Sequence, residues 1–375
     1  MNFSLSDEQQ MLLETTRRLL GKEYDFATRQ RLHRDDVKGI RSALWQNFAE
    51  LGLLAINVPE SDGGLGAGAI ETMLVMGAMG EALVLEPFLA SAVMASHLVV
   101  QAANATQRAE LLPAMISGDL IAVPAHDEAS TRFDWTAIET RARPVQGGYL
   151  LRGRKSLVPY AASAHLLLVT ARMPDQSIAL FGVPRNNAGV DLNSYHCVDN
   201  SAASEVTLLN VVLPADARFD AAADLGRALA GMQDHAVAAV CAEAVGILDK
   251  LLDATVTHTR ERRQFGAPIA SFQALQHRMA EMVLHIEQAR SMATLAAVRC
   301  NEADDVLRAK TLSAAKVVIG QACRFVGQQA VQLHGGMGVT DELIVSHYFK
   351  RLMAIELQFG STDQHLQAFA AHLAA

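Results

Sequence analysis

The sequence predicts an α+β fold that is mainly α-helical, with an N-terminal helical domain, a middle antiparallel β domain and a C-terminal helical bundle. Three observations support this: apolar residues recur at helical spacing in the first third, short apolar stretches follow from Leu120, and long Ala-rich helical segments follow from about Asp224. Half of the residues are hydrophobic but only 5 % are aromatic, and the abundant Ala and Leu favour helices. The predicted domain boundaries are 1–118, 119–222 and 223–375.

The N-terminal domain is predicted to begin with a capping box at Ser6-Asp7-Glu8-Gln9, ahead of apolar residues at helical spacing. A second helix has Leu44, Trp45, Phe48 and Leu51 on one face. The segment PESDGGLGAG is a turn-rich break. Further helices are expected over about 67–83, 87–103 and 106–117.

The middle domain is predicted from five short apolar stretches with polar residues between them: LIAVPA, YLLRGRKSLV, AHLLLVTAR, SIALFGV and EVTLLNVVL. Gly147-Gly148 lies between two of them and favours a tight hairpin. The β domain should end near Pro214.

The C-terminal part contains three long helical segments. One runs to about Arg260, a second starts near Ser271, and a third covers about 304–333. Long helices joined by short loops indicate an antiparallel bundle.

Composition excludes several classes of function. The net charge is 32 − 40 = −8, so we expect no nucleic-acid partner. The cysteines are far apart and form no zinc-binding or disulfide pattern, so we expect no metal site; they are Cys197, Cys241, Cys300 and Cys323. The sequence has neither a signal-peptide pattern nor an apolar run that would span a bilayer. We therefore expect a cytoplasmic protein without a membrane partner.

The segment TRERRQFGAPIASFQ, residues 259–273, joins two predicted helices of the bundle. A guanidinium group held at a helix end can bind a phosphate through paired hydrogen bonds. The alternative is a charged helix terminus that the helix dipole stabilises. The segment alone does not decide between them.

The segment QLHGGMGVTDE, residues 332–342, contains three glycines that would let a ligand approach the backbone. It follows a helix rather than a strand, and its glycine spacing differs from that of a Rossmann dinucleotide-binding motif. Taken alone, it is also consistent with an ordinary glycine C-cap.

Together and in this order, these segments resemble the acyl-CoA dehydrogenase family along essentially the full length of the chain. The resemblance also includes LGLLAINVPESDGGLG at 51–66, the Arg-x-x-Phe-Gly element from Arg262 to Gly266, and FQ at 272–273. It implies an oxidoreductase with a C-terminal four-helix bundle and an FAD that extends across a dimer interface. In that arrangement Arg262 binds the pyrophosphate and Gln273 the adenosine side. Phe265 packs beside the cofactor, and the second segment contacts the same half through Gln332, Leu333, His334, Gly335 and Gly336.

The sequence departs from the family at the catalytic base. The family removes the α proton of an acyl thioester with a Glu in a Tyr-Glu-Gly-Thr element, while the flavin accepts a hydride. Here the matching segment is LQFGST, which places Phe359 at the Glu position. A minority of the family takes the base from the first long bundle helix, where this chain has Ala236. The catalytic residue is therefore unknown.

Three bundle carboxylates are the remaining candidates for a base. Asp234 is two positions from Ala236 and should lie on another helix face. Glu243 and Glu356 are expected to be structural or solvated.

The part that should hold the flavin ring also departs from the family. Leu157 and Pro159 follow Lys155 where an aromatic residue and a threonine are common, and proline has no amide N–H. The acidic turn is reduced to DEASTRFD, in which Glu128 and Asp134 remain.

The hypothesis from the sequence is a subunit that completes the FAD site of a related partner, which supplies the base for dehydrogenation of an acyl-CoA. Its C-terminal segment resembles the smaller subunits of heteromeric pimeloyl-CoA and steroid side-chain dehydrogenases, which implies an α2β2 heterotetramer in fatty acid or steroid side-chain catabolism. The alternatives are a self-sufficient homotetramer with a non-standard base, and a non-catalytic structural or regulatory subunit. The family implies an electron-transferring flavoprotein as acceptor; the sequence identifies neither the acceptor nor the acyl group.

Overall fold

A computed structural model describes residues 4–35, 42–130, 134–222 and 224–374. Within these ranges the α-helices are α1 (Asp7–Glu23), α2 (Phe26–Asp35), α3 (Ser42–Glu50), α4 (Ala69–Ala82), α5 (Ser96–Ala102), α6 (Ala105–Ile116), α7 (Leu225–Glu261), α8 (Gln273–Arg299), α9 (Asp305–His334), α10 (Ile344–Leu357) and α11 (Thr362–Ala374). The strands are β1 (Ala122–Ala125), β2 (Arg141–Val145), β3 (Gly148–Pro159), β4 (Leu166–Arg172), β5 (Ile178–Pro184), β6 (Val190–His196), β7 (Ala202–Pro214), β8 (Arg218–Phe219), β9 (Arg263–Gln264) and β10 (Ala267–Pro268). The predicted order of helices, β domain and helices is confirmed.

The N-terminal helices begin where side chains cap them. Ser6 accepts a hydrogen bond from the Gln9 amide while the Gln9 side chain accepts one from the Ser6 amide, so the predicted capping box is present. Asn104 and Gln107 form a second capping box at the start of α6. One predicted helix differs: the segment Leu89–Ala95 ahead of α5 is a π-helix.

The middle domain contains an eight-stranded sheet with the order β6-β7-β3-β2-β4-β5-β8, and β1 pairs with β4. Most neighbours are antiparallel, as predicted, and β2 and β3 form the expected hairpin, with Gly147 at φ 80°. However, β1 runs parallel to β4, and β2 makes one parallel pairing with β4. The prediction missed β2 and β6. In β2 only Ala142 is buried, and β6 alternates polar and apolar residues at one end of the strand order.

The C-terminal part forms the predicted helical bundle, with three long helices, α7 to α9, followed by the shorter α10 and α11. α8, α10 and α11 all pack on α9. Lys316 of α9 is fully buried, and it reaches the C-terminal end of α10.

The chain forms two compact units. One comprises Met1–Arg29, Ala69–Val84 and Val237–Ala375, and the other comprises Gln30–Gly68 and Leu85–Ala236. The first unit therefore contains the C-terminal bundle together with α1 and α4, whereas the second contains the β sheet. Each has its own buried apolar core, with residues such as Leu352 in the first and Phe181 in the second.

In the first unit, α4 and α7 cross at glycines. A Cβ at Gly246 would lie 2.0 Å from the Gly77 carbonyl oxygen, and a Cβ at Gly80 would lie 2.2 Å from the Glu243 carbonyl oxygen. The two backbones therefore approach more closely than any side chain would allow.

Among the described residues, no helix combines the length and the apolar character needed to cross a membrane.

Candidate functional site

The arginine-rich segment lies at the C-terminal end of α7 and in the hairpin that follows. The Arg262 amide donates to the His258 carbonyl oxygen at 2.8 Å, so the two side chains are one helical turn apart. β9 and β10 pair in a hairpin whose turn contains Phe265 and Gly266, at φ 54° and 80°. Phe265 is 92 % exposed, and its ring meets that of Phe272 edge-on at 6.2 Å between centroids. This hairpin therefore presents Arg262 and Phe265 on the surface.

The glycine-rich segment begins where α9 ends, at the same end of the bundle. The imidazole of His334, the last residue of α9, stacks on that of His258 with 4.3 Å between ring centroids. Gly335 has φ 62° and ψ −144°, a conformation that is essentially restricted to glycine. The His258–His334 contact brings the two sequence motifs to one place.

α8 begins directly after the hairpin, with Gln273 as its first residue. Its N-cap, Phe272, provides no side-chain hydrogen bond to the first turn. Amides at a helix N-terminus can bind an anion. Arg278 of α8 donates to Gln329 of α9 at 2.9 Å, which links this end of α8 to α9.

The predicted cofactor-binding residues differ in whether their side chains are exposed to solvent. The side chains of Arg262, Gln273 and Gln332 are exposed, whereas those of Leu333 and His334 are buried. The His334 Nδ1 donates to the Ala330 carbonyl oxygen at 2.8 Å. Leu333 can therefore offer a ligand only its backbone.

This set of groups fits a diphosphate. In the part of the chain that the structure describes, no hydrogen bond or ion pair occupies the Arg262 guanidinium. A Cβ at Gly335 or Gly336 would meet no atom within 4 Å, so the space over both backbone positions is open. A free guanidinium, open glycine backbone and an uncapped helix N-terminus are the groups that bind phosphate oxygens.

The turn that corresponds to the catalytic-base element is rigidly held. Phe359 and Gly360 adopt φ 59° and 114°. The Lys316 ammonium donates to the carbonyl oxygens of Ile355, Glu356 and Gly360 at 2.8, 3.0 and 2.9 Å. His365 Nε2 lies 3.0 Å from the Phe359 carbonyl oxygen. The sequence analysis missed Lys316, although a single lysine in the apolar segment LSAAKVVIGQAC is a recognisable signal of a buried charge.

The carboxylates near this turn are engaged. Glu356 accepts hydrogen bonds from Thr362 Oγ1 at 2.8 Å and from Arg324 at 2.6 Å. Burial raises the pKa of Glu356, but the hydrogen bonds from Thr362 and Arg324 outweigh that effect and lower it. Glu243 accepts two hydrogen bonds from Arg351, at 2.6 and 2.7 Å. Both therefore act in structural ion pairs, as the sequence analysis expected.

The position of the alternative base is also unsuited to proton transfer. Ala236 in α7 is fully buried. Asp234 is half-buried two positions earlier.

In the β domain a buried polar cluster surrounds Lys155. Its ammonium lies 2.6 Å from Glu128 Oε1 and also donates to the His126 carbonyl oxygen and to Thr170 Oγ1. Burial lowers the pKa of Lys155 to about 8, although Glu128 opposes this shift. The His126 ring stacks on Trp135 at 4.6 Å. Glu128 is thus an internal ion-pair partner rather than a surface acid.

The segment after Lys155 does not suit a flavin ring. Leu157 is 58 % exposed at φ 52°, in a bulge between β3 and β7. Pro159 has no N–H to donate. Of the predicted acidic turn, Asp134 is exposed and accepts hydrogen bonds from Thr136, and residues 131–133 lie outside the described ranges. Among the described residues of this segment, Pro159 therefore cannot provide the amide N–H or the hydroxyl that a threonine would offer at that position.

A carboxyl group that the sequence analysis did not consider lies beside the same bulge. The Asp127 carbonyl oxygen accepts a hydrogen bond from the Ser156 amide at 2.8 Å. Asp127 is exposed to solvent; nearby protein atoms raise the pKa of its side chain to about 6, and Lys155 acts in the opposite direction. A group with such a pKa can exchange protons near neutral pH.

Family models match two parts of the chain: acyl-CoA dehydrogenase, N-terminal domain, at residues 6–119, and acyl-CoA dehydrogenase, C-terminal domain, at residues 227–374. The acyl-CoA dehydrogenase FadE12 of Mycobacterium tuberculosis is 30 % identical over 80 % of this chain and 80 % of its own length.

Solved structures have the same fold. A variant of the Tcur3481-Tcur3483 steroid ACAD is 27 % identical, with a TM-score of 0.87 and 99 % of both chains covered. The ChsE4-ChsE5 complex from Mycobacterium tuberculosis is 23 % identical, with a TM-score of 0.88, and covers 100 % of this chain and 99 % of its own. The matched family models and FadE12 identify the chain as a member of the acyl-CoA dehydrogenase family, and these solved structures share its fold.

Proposed function

We propose that this chain is one subunit of an FAD-dependent acyl-CoA dehydrogenase, and that it completes the FAD site of a related partner subunit that carries the catalytic base. The observation on which this proposal depends is the contrast between two parts of the chain. At the proposed diphosphate site, the guanidinium and the glycine backbone are accessible to a ligand. The base position has no carboxylate, and the segment expected to hold the flavin ring does not suit it.

The base position supports the proposal most directly. Phe359 cannot accept a proton, and its turn is held by Lys316 and His365, so no other side chain replaces Phe359 there by a small shift. Two carboxylates of the bundle, Glu243 and Glu356, are held in ion pairs by arginines. For Glu356, the hydrogen bonds from Thr362 and Arg324 lower the pKa, which makes it a weaker base.

The residues at the end of the bundle have definable roles in the proposed site. Bound FAD would supply the acceptor for the hydride that leaves the substrate. Arg262 would bind the diphosphate through paired hydrogen bonds, and Gln273 would contact the adenosine side. Gly335 and Gly336 would allow the diphosphate to approach the backbone, and exposed Phe265 would cover the cofactor.

Two relatives of known structure are named as pairs, Tcur3481-Tcur3483 and ChsE4-ChsE5. These names support a mixed assembly for this chain, which we propose to be an α2β2 heterotetramer. We further propose that it serves fatty acid or steroid side-chain catabolism in the cytoplasm and passes electrons to an electron-transferring flavoprotein.

The test is to produce the chain alone and together with the product of a neighbouring acyl-CoA dehydrogenase-like gene, and to measure FAD per chain, native mass and acyl-CoA oxidation. The proposal predicts roughly one FAD per two chains and activity only in the mixed complex, because each bound FAD needs one partner ring site. Full FAD occupancy and activity in the chain alone would contradict it. A colourless mixed complex would instead favour a structural subunit.

Asp127 provides the specific observation for the self-sufficient alternative, and Asp234 is the candidate from the sequence. If the chain alone is active, Asp127→Asn and Asp234→Asn distinguish the two. The variant of the true base should lose at least about a hundredfold in kcat, since general base catalysis contributes on that order.

A further inference from the structure

His258 belongs to the cluster at the end of the bundle, but neither the glycine motif nor the arginine motif includes it. It precedes Arg262 by one helical turn and stacks on His334 at 4.3 Å. His334 directly precedes the open Gly335 backbone. His258 therefore lies next to a residue of each motif, one helical turn before Arg262 and in ring contact with His334.

The cluster has an excess of groups that are or can become cationic. Arg262, directly after α7, and His334 on α9 both disfavour protonation of His258, and Glu261 at the end of α7 is the nearby acidic group that favours it. Burial contributes most, and together these effects lower the pKa of His258 below its usual 6.5. On a chain with net charge −8, such a cluster suits an anion.

We propose that His258 is a further ligand of the diphosphate and that it binds the anion as an imidazolium, so that cofactor binding is linked to the uptake of a proton. This inference rests on the proposed function of the same site. The sequence motifs predicted Arg262 and the glycines as parts of the diphosphate site. The His258–His334 stack adds His258, whose charge changes when the diphosphate binds.

Protonation of His258 and binding of the diphosphate are thermodynamically linked. Without ligand, His258 is mostly neutral at pH 7 because burial, His334 and Arg262 all lower its pKa. A diphosphate next to Arg262 reverses the local potential and favours the imidazolium. Affinity should therefore rise as the pH falls from above neutral towards the pKa of free His258, and it should level off below that value.

The experiment is a calorimetric titration of the full chain with ADP-ribose, whose diphosphate diester does not itself titrate between about pH 5.5 and 8. We expect the affinity to increase severalfold over this range as the pH is lowered. Repeating the titration at one pH in buffers of different ionisation enthalpy should show a net uptake of protons by the complex.

His258→Phe keeps a ring against His334 but cannot be protonated, so it should still bind ADP-ribose with an affinity that is independent of pH. His372→Gln, near the end of α11 in the same unit, is the matched control and should retain the wild-type pH dependence. The unfolding midpoint of each variant verifies that it is folded, and His258→Gln serves as the second variant.

Three results would overturn the inference. Two of them are wild-type binding that does not depend on pH, and a pH dependence that persists in His258→Phe and His258→Gln. Either result would show that His258 does not bind the diphosphate, without contradicting the diphosphate site itself. No binding of ADP-ribose at any pH, either by the wild-type chain alone or by the mixed complex, would count against both the inference and the proposed function.

Discussion

Lys316 is a single residue that fixes the geometry of a whole turn. Its ammonium is fully buried and donates to three carbonyl oxygens near the C-terminal end of α10. Those partners are 39, 40 and 44 positions away in the sequence. The negative end of the α10 dipole and the three carbonyl groups together compensate for the cost of burying the charge.

We expect Lys316→Met to lower the free energy of unfolding by about 3 kcal/mol or more, because the apolar side chain fills similar space but leaves three carbonyl groups without their donor. Chemical denaturation would measure this. Lys310→Met is the control on the same helix, since the Lys310 ammonium lies over the face of Phe369, at 5.5 Å from the ring centroid; its loss should cost less than about 1 kcal/mol. Equal losses in both variants would contradict the assigned role.

His365 makes the same turn sensitive to pH. Burial lowers its pKa from 6.5 to about 4, so it is neutral in the folded protein near pH 7 and its Nε2 can donate to the Phe359 carbonyl oxygen. Between pH 6.5 and about 4 the unfolded chain binds a proton that the folded chain does not, so stability must fall as the pH falls through this window.

The variant that isolates this effect is His365→Gln, whose amide can still donate to the Phe359 carbonyl oxygen. Relative to the variant, the wild type should lose up to about 3 kcal/mol of unfolding free energy between pH 7 and 4. Denaturation curves recorded over that pH range would show it. Parallel pH profiles for the two proteins would exclude His365 as the source.

At the scale of secondary structure, the crossing of α4 and α7 depends on the absence of side chains. Gly246→Ala would place a Cβ 2.0 Å from the Gly77 carbonyl oxygen, and backbone on both sides prevents an easy adjustment. We expect a loss of about 2–3 kcal/mol in unfolding free energy, the usual cost of overpacking.

The matched control for this crossing is Gly21→Ala in α1, because a Cβ there meets no atom within 4 Å. It should stabilise the protein slightly, by about 0.5–1 kcal/mol, since alanine is the better helix former. Thermal unfolding of both variants would compare them. A tolerated Gly246→Ala would mean that the two helices can separate without penalty.

Some secondary-structure elements could be predicted from the sequence and others could not. Long helices such as α7 and α9 were predictable because their apolar residues repeat over many turns. β2 was missed because it buries a single residue and so has no apolar pattern that would indicate a strand. The parallel pairing of β1 with β4 could not be predicted because local periodicity does not show which distant segments pair.

Only part of the candidate site could be predicted from the sequence. Arg262 and Gly335 lie in recognisable motifs, whereas Lys316, His258 and His365 acquire their meaning from partners in distant segments. Side chains that act through tertiary contacts carry little local signal.

At the scale of the whole molecule, the proposed assembly predicts that a substitution in this chain removes FAD from a wild-type partner. In the coexpressed complex, Arg262→Ala should weaken FAD binding at least about tenfold, because a charge-assisted hydrogen-bond pair is lost. Flavin absorbance after gel filtration would measure retention.

The neighbouring Arg263→Ala is the control for this prediction. The Arg263 side chain donates to the Gly266 carbonyl oxygen within its own hairpin, so its loss should leave FAD content nearly unchanged. If both variants retain FAD equally, the end of the bundle is not the diphosphate site.

The division into two units has a consequence for biosynthesis. The unit that holds the bundle takes its segments from Met1–Arg29, Ala69–Val84 and Val237–Ala375, so helices made before the β sheet belong to a core that is completed after it. The nascent α1 and α4 must wait for α7 to α11 before their apolar faces are covered, whereas the β-sheet unit ends at Ala236 and can fold earlier. Contacts of such large sequence separation slow folding. Until α7 to α11 have been made, the residues of α4 that are buried in the folded unit are therefore exposed and open to non-native contacts.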